Sequence, residues 1–219
     1  MKEMSGRAAL MEILKDEGVE YVFGNPGTTE LPIMDALAEH PELKYVLGLQ
    51  EAIAMGMADG YSRASGRLSV VNLHVAAGLG NAIGAIFNAK FFWSPVLVTA
   101  GQQEHGLSLT EPMLYDDLVK MAAPVTKWAT EVARVQDLPR VFRRAAKVAL
   151  TPPTGPVFVS LPRDVILASA ELEMGAPTRV DSAARPSDGA LTELADRLLR
   201  AERPVIVAGH EVYTGYAFA

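Results

Sequence analysis

Apolar positions along this chain alternate between two periods. At the N-terminus, MKEMSGRAALMEILKDEG sets Ala8, Leu10, Met11 and Leu14 at helical spacing and ends in Asp16, Glu17 and Gly18. This predicts an amphipathic helix. Residues 19–23 then read as a short buried strand closed by Gly24, and Asn25-Pro26-Gly27 is turn chemistry. Thr28 or Thr29 is expected to cap the helix that follows, with Glu30 in its first turn favouring the dipole. The cycle repeats, with strands expected at 44–49, 68–74, 96–100, 125–130 and 156–161. Helices are expected at 51–64, 78–90 and 138–150, the last with Asp137 as cap and Pro139 in its first turn. Residues 102–115 read as a loop with short helical turns. Mostly apolar strands separated by helices imply a parallel sheet covered on both faces. The fold class is therefore α/β, doubly wound.

The pattern changes after Pro162. Residues 171–188 carry Gly, Pro, Ser and Ala without a period and read as a linker. A helix is expected at 191–199 and a strand at 204–208, before Gly209. One helix and one strand cannot enclose a core. The expected organisation is one α/β domain over 1–170, a linker over 171–188, and a tail over 189–219 that is either the truncated start of a second α/β domain or packs on the first domain or on a partner.

Composition narrows the chemistry. The chain has 219 residues, 49% of them hydrophobic and 21% charged, which suits a globular protein with a sizeable core. Its net charge of -6 argues against nucleic acid or an anionic membrane as partner. It has no cysteine, which excludes disulfides, Cys-ligated zinc and a thiol nucleophile. The charged N-terminus lacks the uninterrupted apolar core of a signal peptide, and no run approaches the roughly 20 apolar residues that span a membrane. The expected location is the cytoplasm.

Ligands of an open parallel sheet bind outside the carboxyl ends of its strands. The loops there carry Asn25-Pro26-Gly27-Thr28, Gln50-Glu51, His74 through Gly80, and Gly101-Gln102-Gln103. Glu51 opens a helix rich in Ala, Gly and Met. From position alone it reads as a carboxylate that complements the helix dipole. A lone His74 at a strand end is more often structural than catalytic, although the glycine-rich turn after it lets a ligand approach the backbone. Gly78, Gly80 and Gly84 form an imperfect dinucleotide loop, better read as close helix packing. Asp116, Asp117 and Glu111 read as a solvated face, and His40, His105 and His210 have no ligand spacing, so no metal site is expected within the chain.

Five segments taken together resemble the N-terminal, pyrimidine-binding domain of thiamine-diphosphate enzymes. They are NPGTTELP from Asn25, LGLQEAIAMGMADGYSRASGR from Leu47, NLHVAAGLGNAIGAIFNA from Asn72, SPVLVTAGQQ from Ser94 and GPVFVSLPRD from Gly155. The resemblance covers essentially the whole chain. The Asn72-Leu73-His74 and Ala100-Gly101-Gln102-Gln103 blocks point to the benzoylformate-decarboxylase branch. It implies the thiamine-diphosphate-binding fold and a non-oxidative decarboxylation of a 2-keto acid. Glu51 then matches the glutamate that hydrogen-bonds the cofactor's pyrimidine ring, and His74 matches a proton-transfer and substrate-orienting histidine. Thr28 stands where that branch has a serine at the substrate carboxylate. Gly27, Met113 and Leu114 fall in the substrate pocket. Asn25, Pro26, Gly27, Gly78 and Asn81, with Glu51 and His74, fall beside the cofactor.

The resemblance also implies what lies elsewhere. Thiamine diphosphate's diphosphate and Mg²⁺ are held in this family by a separate domain with a Gly-Asp-Gly…Asn motif, and the chain has no such motif. The site forms between subunits, the pyrimidine domain of one facing the diphosphate domain of another, so a homodimer or homotetramer is expected and the chain alone is expected to be inactive. The alternatives are the pyrimidine-binding subunit of a two-chain decarboxylase, a non-catalytic binding module of the same fold, and a nicotinamide-dependent dehydrogenase. Glu51 and His74 argue against the module, and the imperfect glycine loop against the dehydrogenase.

Overall fold

The computed structural model describes residues 2–181 and 185–209. The chain divides into two compact units, Met1–Val180 and Asp181–Ala219.

The first unit is built on six parallel strands: β2 (Tyr21–Gly24), β3 (Lys44–Leu47), β4 (Ser69–Leu73), β5 (Val96–Gln102), β6 (Ala129–Glu131) and β7 (Val157–Pro162). Their order across the sheet is β3-β2-β4-β5-β7-β6. The central strands alternate between two cores. Val70, Leu97, Val157 and Val159 face one, and Val71, Val96, Val98 and Phe158 face the other. The helices α1 (Gly6–Asp16), α2 (Leu31–Ala38), α6 (Leu138–Leu150) and α7 (Arg163–Leu167) cover the first core. The helices α3 (Glu51–Ser65), α4 (Val75–Phe91) and α5 (Leu118–Ala122) cover the second. The expected doubly wound α/β architecture is the one observed.

Chain order places the ligand crevice. The chain runs from β2 outward to β3, then returns to set β4 on the other side of β2. That reversal opens a gap at the carboxyl ends of β2 and β4, the switch point where such sheets bind ligands. Gly24 lies opposite Asn72 in the β2–β4 ladder, so the turn at Asn25 and the turn at His74 emerge side by side.

Some local expectations differ. Lys2–Ser5 forms a strand, β1, and Ser5 caps α1 by accepting from the Ala8 amide at 3.4 Å. β1 pairs antiparallel with β8 (Ser169–Leu172), so residues 171 and 172 close a strand instead of opening a linker. Each strand has four residues, too few for a readable alternation, and the partner is distant in sequence. The α4 helix starts at Val75, ahead of the glycines that suggested a start at 78. The expected strand at 125–130 is shorter, 129–131, and follows a 3-10 turn at Ala123–Val125. Residues 102–115 do contain a helical turn, the 3-10 segment His105–Thr110.

The second unit contains α8 (Asp188–Arg200), capped by Ser187, which accepts from the Ala190 amide at 3.3 Å. Residues 204–208 are not a strand. Strand backbone needs a ladder partner, and no other strand is present among the described residues of this unit. His210 and the rest of 210–219 lie outside the described residues. No helix is long and apolar enough to cross a membrane among those described.

Candidate active site

Glu51 is the first residue of α3, but the helix does not need its carboxylate. Gln50 folds back and its Oε1 accepts from the Ala52 amide at 2.7 Å and the Ile53 amide at 3.2 Å. That satisfies two of the open donors at the helix start. The Glu51 side chain turns elsewhere. Its Oε1 accepts from Asn25 Nδ2 at 3.2 Å, and its Oε2 from Asn81 Nδ2 at 2.9 Å. The dipole-complement reading of Glu51 is therefore incomplete: the residue is 7% exposed and bound to two amides from other segments. Asn25 follows β2, whereas Asn81 lies two turns into α4. A carboxyl held this way keeps lone pairs free and can share a proton with a ring nitrogen.

His74 follows β4 and takes the N-cap position of α4. Val75 after it sits at φ +43, a left-handed conformation that β-branched residues resist. Such backbone is sparsely populated and clusters at functional sites. The ring rests on the main chain of Gly27, where a Cβ would collide with it. Its Nδ1 lies 2.7 Å from Glu30 Oε2 and 3.3 Å from Thr29 Oγ1. Gly78 sits between the two candidates: a Cβ there would be 3.4 Å from both Glu51 Cγ and His74 Cβ. Gly78 thus lies against both side chains, between the Glu51 carboxylate and the base of His74.

Threonine capping of the next helix does not occur. The segment Thr28–Glu30 is a 3-10 turn with Gly27 at its N-cap, and Glu30 Oε2 accepts from the Gly27 amide at 2.9 Å. Thr29 is buried and donates to Glu30 Oε1 at 2.6 Å. Thr28 is exposed at the mouth of the turn, and Pro26 is half-buried beside Asn25. The sequence assigns Glu30 only to the helix dipole, Thr29 to a cap and Gly101 to a strand-end loop, and does not reveal that Thr29 and Gly101 both pack on the Glu30 carboxylate. The readable signal was the spacing of Glu30 three residues after Gly27, a reach-back position.

The loop after β5 returns to the same place. Gln102 Nε2 donates to the Asp116 carbonyl at 2.9 Å, and Gln103 Nε2 to the Met113 carbonyl at 3.1 Å. The Ala76 amide reaches the Leu114 carbonyl at 3.5 Å. Met113 and Leu114 are thereby brought to the start of α4, with side chains 84% and 38% exposed. The other candidates fall outside. Asp117 caps α5 through the Lys120 amide at 3.0 Å, and its bond to Lys120 lowers its carboxyl pKa. His105 pairs with Asp164 at 2.9 Å. Among the described residues no three His, Asp or Glu side chains converge as a metal site.

Residues 4–121 match the model of the thiamine pyrophosphate enzyme N-terminal TPP binding domain. The chain belongs to the thiamine pyrophosphate enzymes. Benzoylformate decarboxylase of Pseudomonas aeruginosa is 43% identical over 208 residues, covering 94% of this chain and 39% of that protein. The acetolactate synthase large subunit of Haemophilus influenzae is 30% identical over 214 residues, 95% of this chain and 37% of that one. Among solved structures of thiamine pyrophosphate enzymes, the 4-hydroxybenzoylformate decarboxylase of Rhodococcus jostii RHA1 superposes with a TM-score of 0.88 at 38% identity, covering 98% of this chain and 41% of that one. The chain spans about two fifths of the length of these relatives.

Proposed function

We propose that this chain is the pyrimidine-binding part of a thiamine-diphosphate-dependent 2-keto-acid decarboxylase of the benzoylformate-decarboxylase kind, a carbon–carbon lyase. The observation that carries the reading is Glu51. Its buried carboxyl is released from helix capping by Gln50 and held by Asn25 and Asn81 beside the switch-point crevice. The cofactor fits this donor set: a pyrimidine ring nitrogen needs a carboxyl able to share a proton, and Gly78 keeps the wall beside Glu51 and His74 free of a side chain. Thiamine diphosphate, when bound, supplies a nucleophilic carbon for the keto carbonyl and takes up the electron pair left as carbon dioxide departs.

The protein's own part is binding, orientation and proton handling. Glu51 holds or moves a proton at its carboxyl oxygens. Asn25 and Asn81 fix those oxygens, with Pro26, Gly27 and Gly78 completing the cofactor wall. His74 presents Nε2, which has no hydrogen-bond partner among the described residues, for proton transfer and substrate orientation. Thr28, Gly27, Met113 and Leu114 line the substrate side, and the exposed apolar Met113 and Leu114 favour a keto acid with an apolar or aromatic substituent.

The diphosphate and Mg²⁺ are assigned to a diphosphate-binding domain of another subunit, in a homodimer or homotetramer, and the chain alone to an inactive state. Two helix faces support a partner. A Cβ at Gly56, Gly60 or Gly84 would meet nothing within 4 Å, although glycine costs a helix interior about 1 kcal/mol relative to alanine. Exposed Ile53, Phe87 and Phe91 flank them. A second surface approaching closely would explain both.

Glu51→Gln tests the reading in the enzyme assembled with its diphosphate-binding domain. Turnover is expected to fall about 100- to 10,000-fold, with an unchanged circular-dichroism spectrum. Near-normal turnover would refute the proposed role.

A further inference from the structure

We propose that Glu30 is the positioning residue for His74: it fixes the proton on Nδ1 and so leaves Nε2 as the nitrogen that meets a ligand. The inference rests on the reading of His74 as a proton-handling group, but its geometry stands apart from that reading.

Glu30 is wholly buried, at 0% exposure. A carboxylate that served only a helix start would stay in water, because burial strips its hydration. Here a backbone amide, a hydroxyl and a ring nitrogen replace that hydration. The Gly27 amide and His74 Nδ1 lie 2.9 Å and 2.7 Å from Oε2, and the Thr29 hydroxyl is 2.6 Å from Oε1. Two glycines on different elements make the room. A Cβ at Gly101, on β5, would collide with Glu30 Oε1, and a Cβ at Gly27 would collide with the imidazole. The backbone on both sides is thus given up to this one contact.

The consequence is a matter of proton inventory. An ionised carboxylate only accepts, so the ring nitrogen that faces it must donate. In the neutral imidazole the other nitrogen, Nε2, then carries the lone pair. Nε2 has no partner among the described residues, and the ring is partly open to solvent. Glu30 acts on a ligand only through His74. This is the way a partner carboxylate sets the tautomer and orientation of a working histidine elsewhere.

The test begins with the unmodified chain. Histidine ¹⁵N spectra at about pH 9, where an ordinary imidazole is neutral, are expected to show His74 Nδ1 protonated. A bare Nδ1 would overturn the proposal without any variant. Glu30→Met removes the acceptor and is expected to bring up a population with the proton on Nε2. Glu30→Gln keeps an acceptor oxygen and is expected to restore the Nδ1-protonated form. A Met variant whose His74 spectrum matches the parent also overturns the proposal; if that variant fails to fold, the parent spectrum decides. In the assembled enzyme, Glu30→Met is expected to lower kcat about 10- to 100-fold with little change in KM, and Glu30→Gln to recover most of it. If His74→Ala leaves kcat unchanged while the parent's Nδ1 is protonated, the functional reading of His74 fails and the Glu30 contact still stands.

Discussion

Glu17 and Glu30 are both buried carboxylates surrounded by donors, yet the two neighbourhoods are built to different ends. Glu17 closes α1. Its Oε1 accepts from Arg143 Nη1 at 2.8 Å, and the Arg179 guanidinium approaches Oε2 at 2.7 Å, as a charge contact without hydrogen-bond geometry. Arg143 also donates to Asp16 at 2.7 Å and to the Met174 carbonyl at 3.2 Å. The cluster fastens α6 and the segment around Met174 onto α1, and each of the three Arg143 guanidinium nitrogens is bonded to the protein. Around Glu30 the accounting stops one atom short. The carboxylate is satisfied, but the histidine it holds keeps Nε2 unbonded among the described residues, and Glu51 stands on the other side of Gly78. A buried polar cluster whose charged nitrogens all bind inward is a clamp. One that leaves a donor or acceptor facing a crevice has capacity for a ligand.

The contrast is open to attack by mutation, starting where the effect should be greatest. Arg143→Ala removes the clamp and leaves Glu17 buried with only the half-exposed Arg179. Stability should drop by about 3 kcal/mol in urea unfolding, the lower end for a broken buried pair because one partner survives. A change near zero would mean the cluster is ornamental. Next comes Gln50→Ala. If Gln50 and not Glu51 caps α3, its loss should cost about 1 kcal/mol in the same measurement. The smallest effect is expected from Glu51→Gln, within about 0.5 kcal/mol of the parent, because Asn25 and Asn81 both reach solvent and can rehydrate. A large loss there would class Glu51 with the clamp and blur the distinction.

Much of this molecule was legible before its structure. The alternation of apolar strands and amphipathic helices predicted a doubly wound parallel sheet, because side-chain period is a local property of backbone geometry. Val70 and Val71 face opposite cores, as any neighbouring strand residues must. The strand-end positions of Glu51, His74, Asn25 and Gly27 were legible too, since such loops announce themselves through Pro, Gly and polar residues. Position alone, however, favoured a dipole carboxylate for Glu51 and a structural His74, and only the resemblance to a family suggested roles for them. The β1–β8 pair was not, because four-residue strands carry little pattern and their pairing is non-local. Nor was the role of Glu30. Its sequence context suits an exposed helix start equally well, and its carboxylate is enclosed by residues far along the chain, His74 and Gly101.

By itself, then, the sequence determined the class of fold, the positions of most helices and strands, and the residues available at the carboxyl ends of the strands. Those depend on period, turn chemistry and composition, all of which act between neighbours. The tertiary structure alone decided which carboxylate serves which purpose. Gln50 relieves Glu51 of capping, Asn25 and Asn81 orient it, and Glu30 is buried against His74 while Glu17 is buried against Arg143. A carboxylate's role depends on its desolvation and on the donors around it, and those donors come from segments that meet only when the sheet is wound.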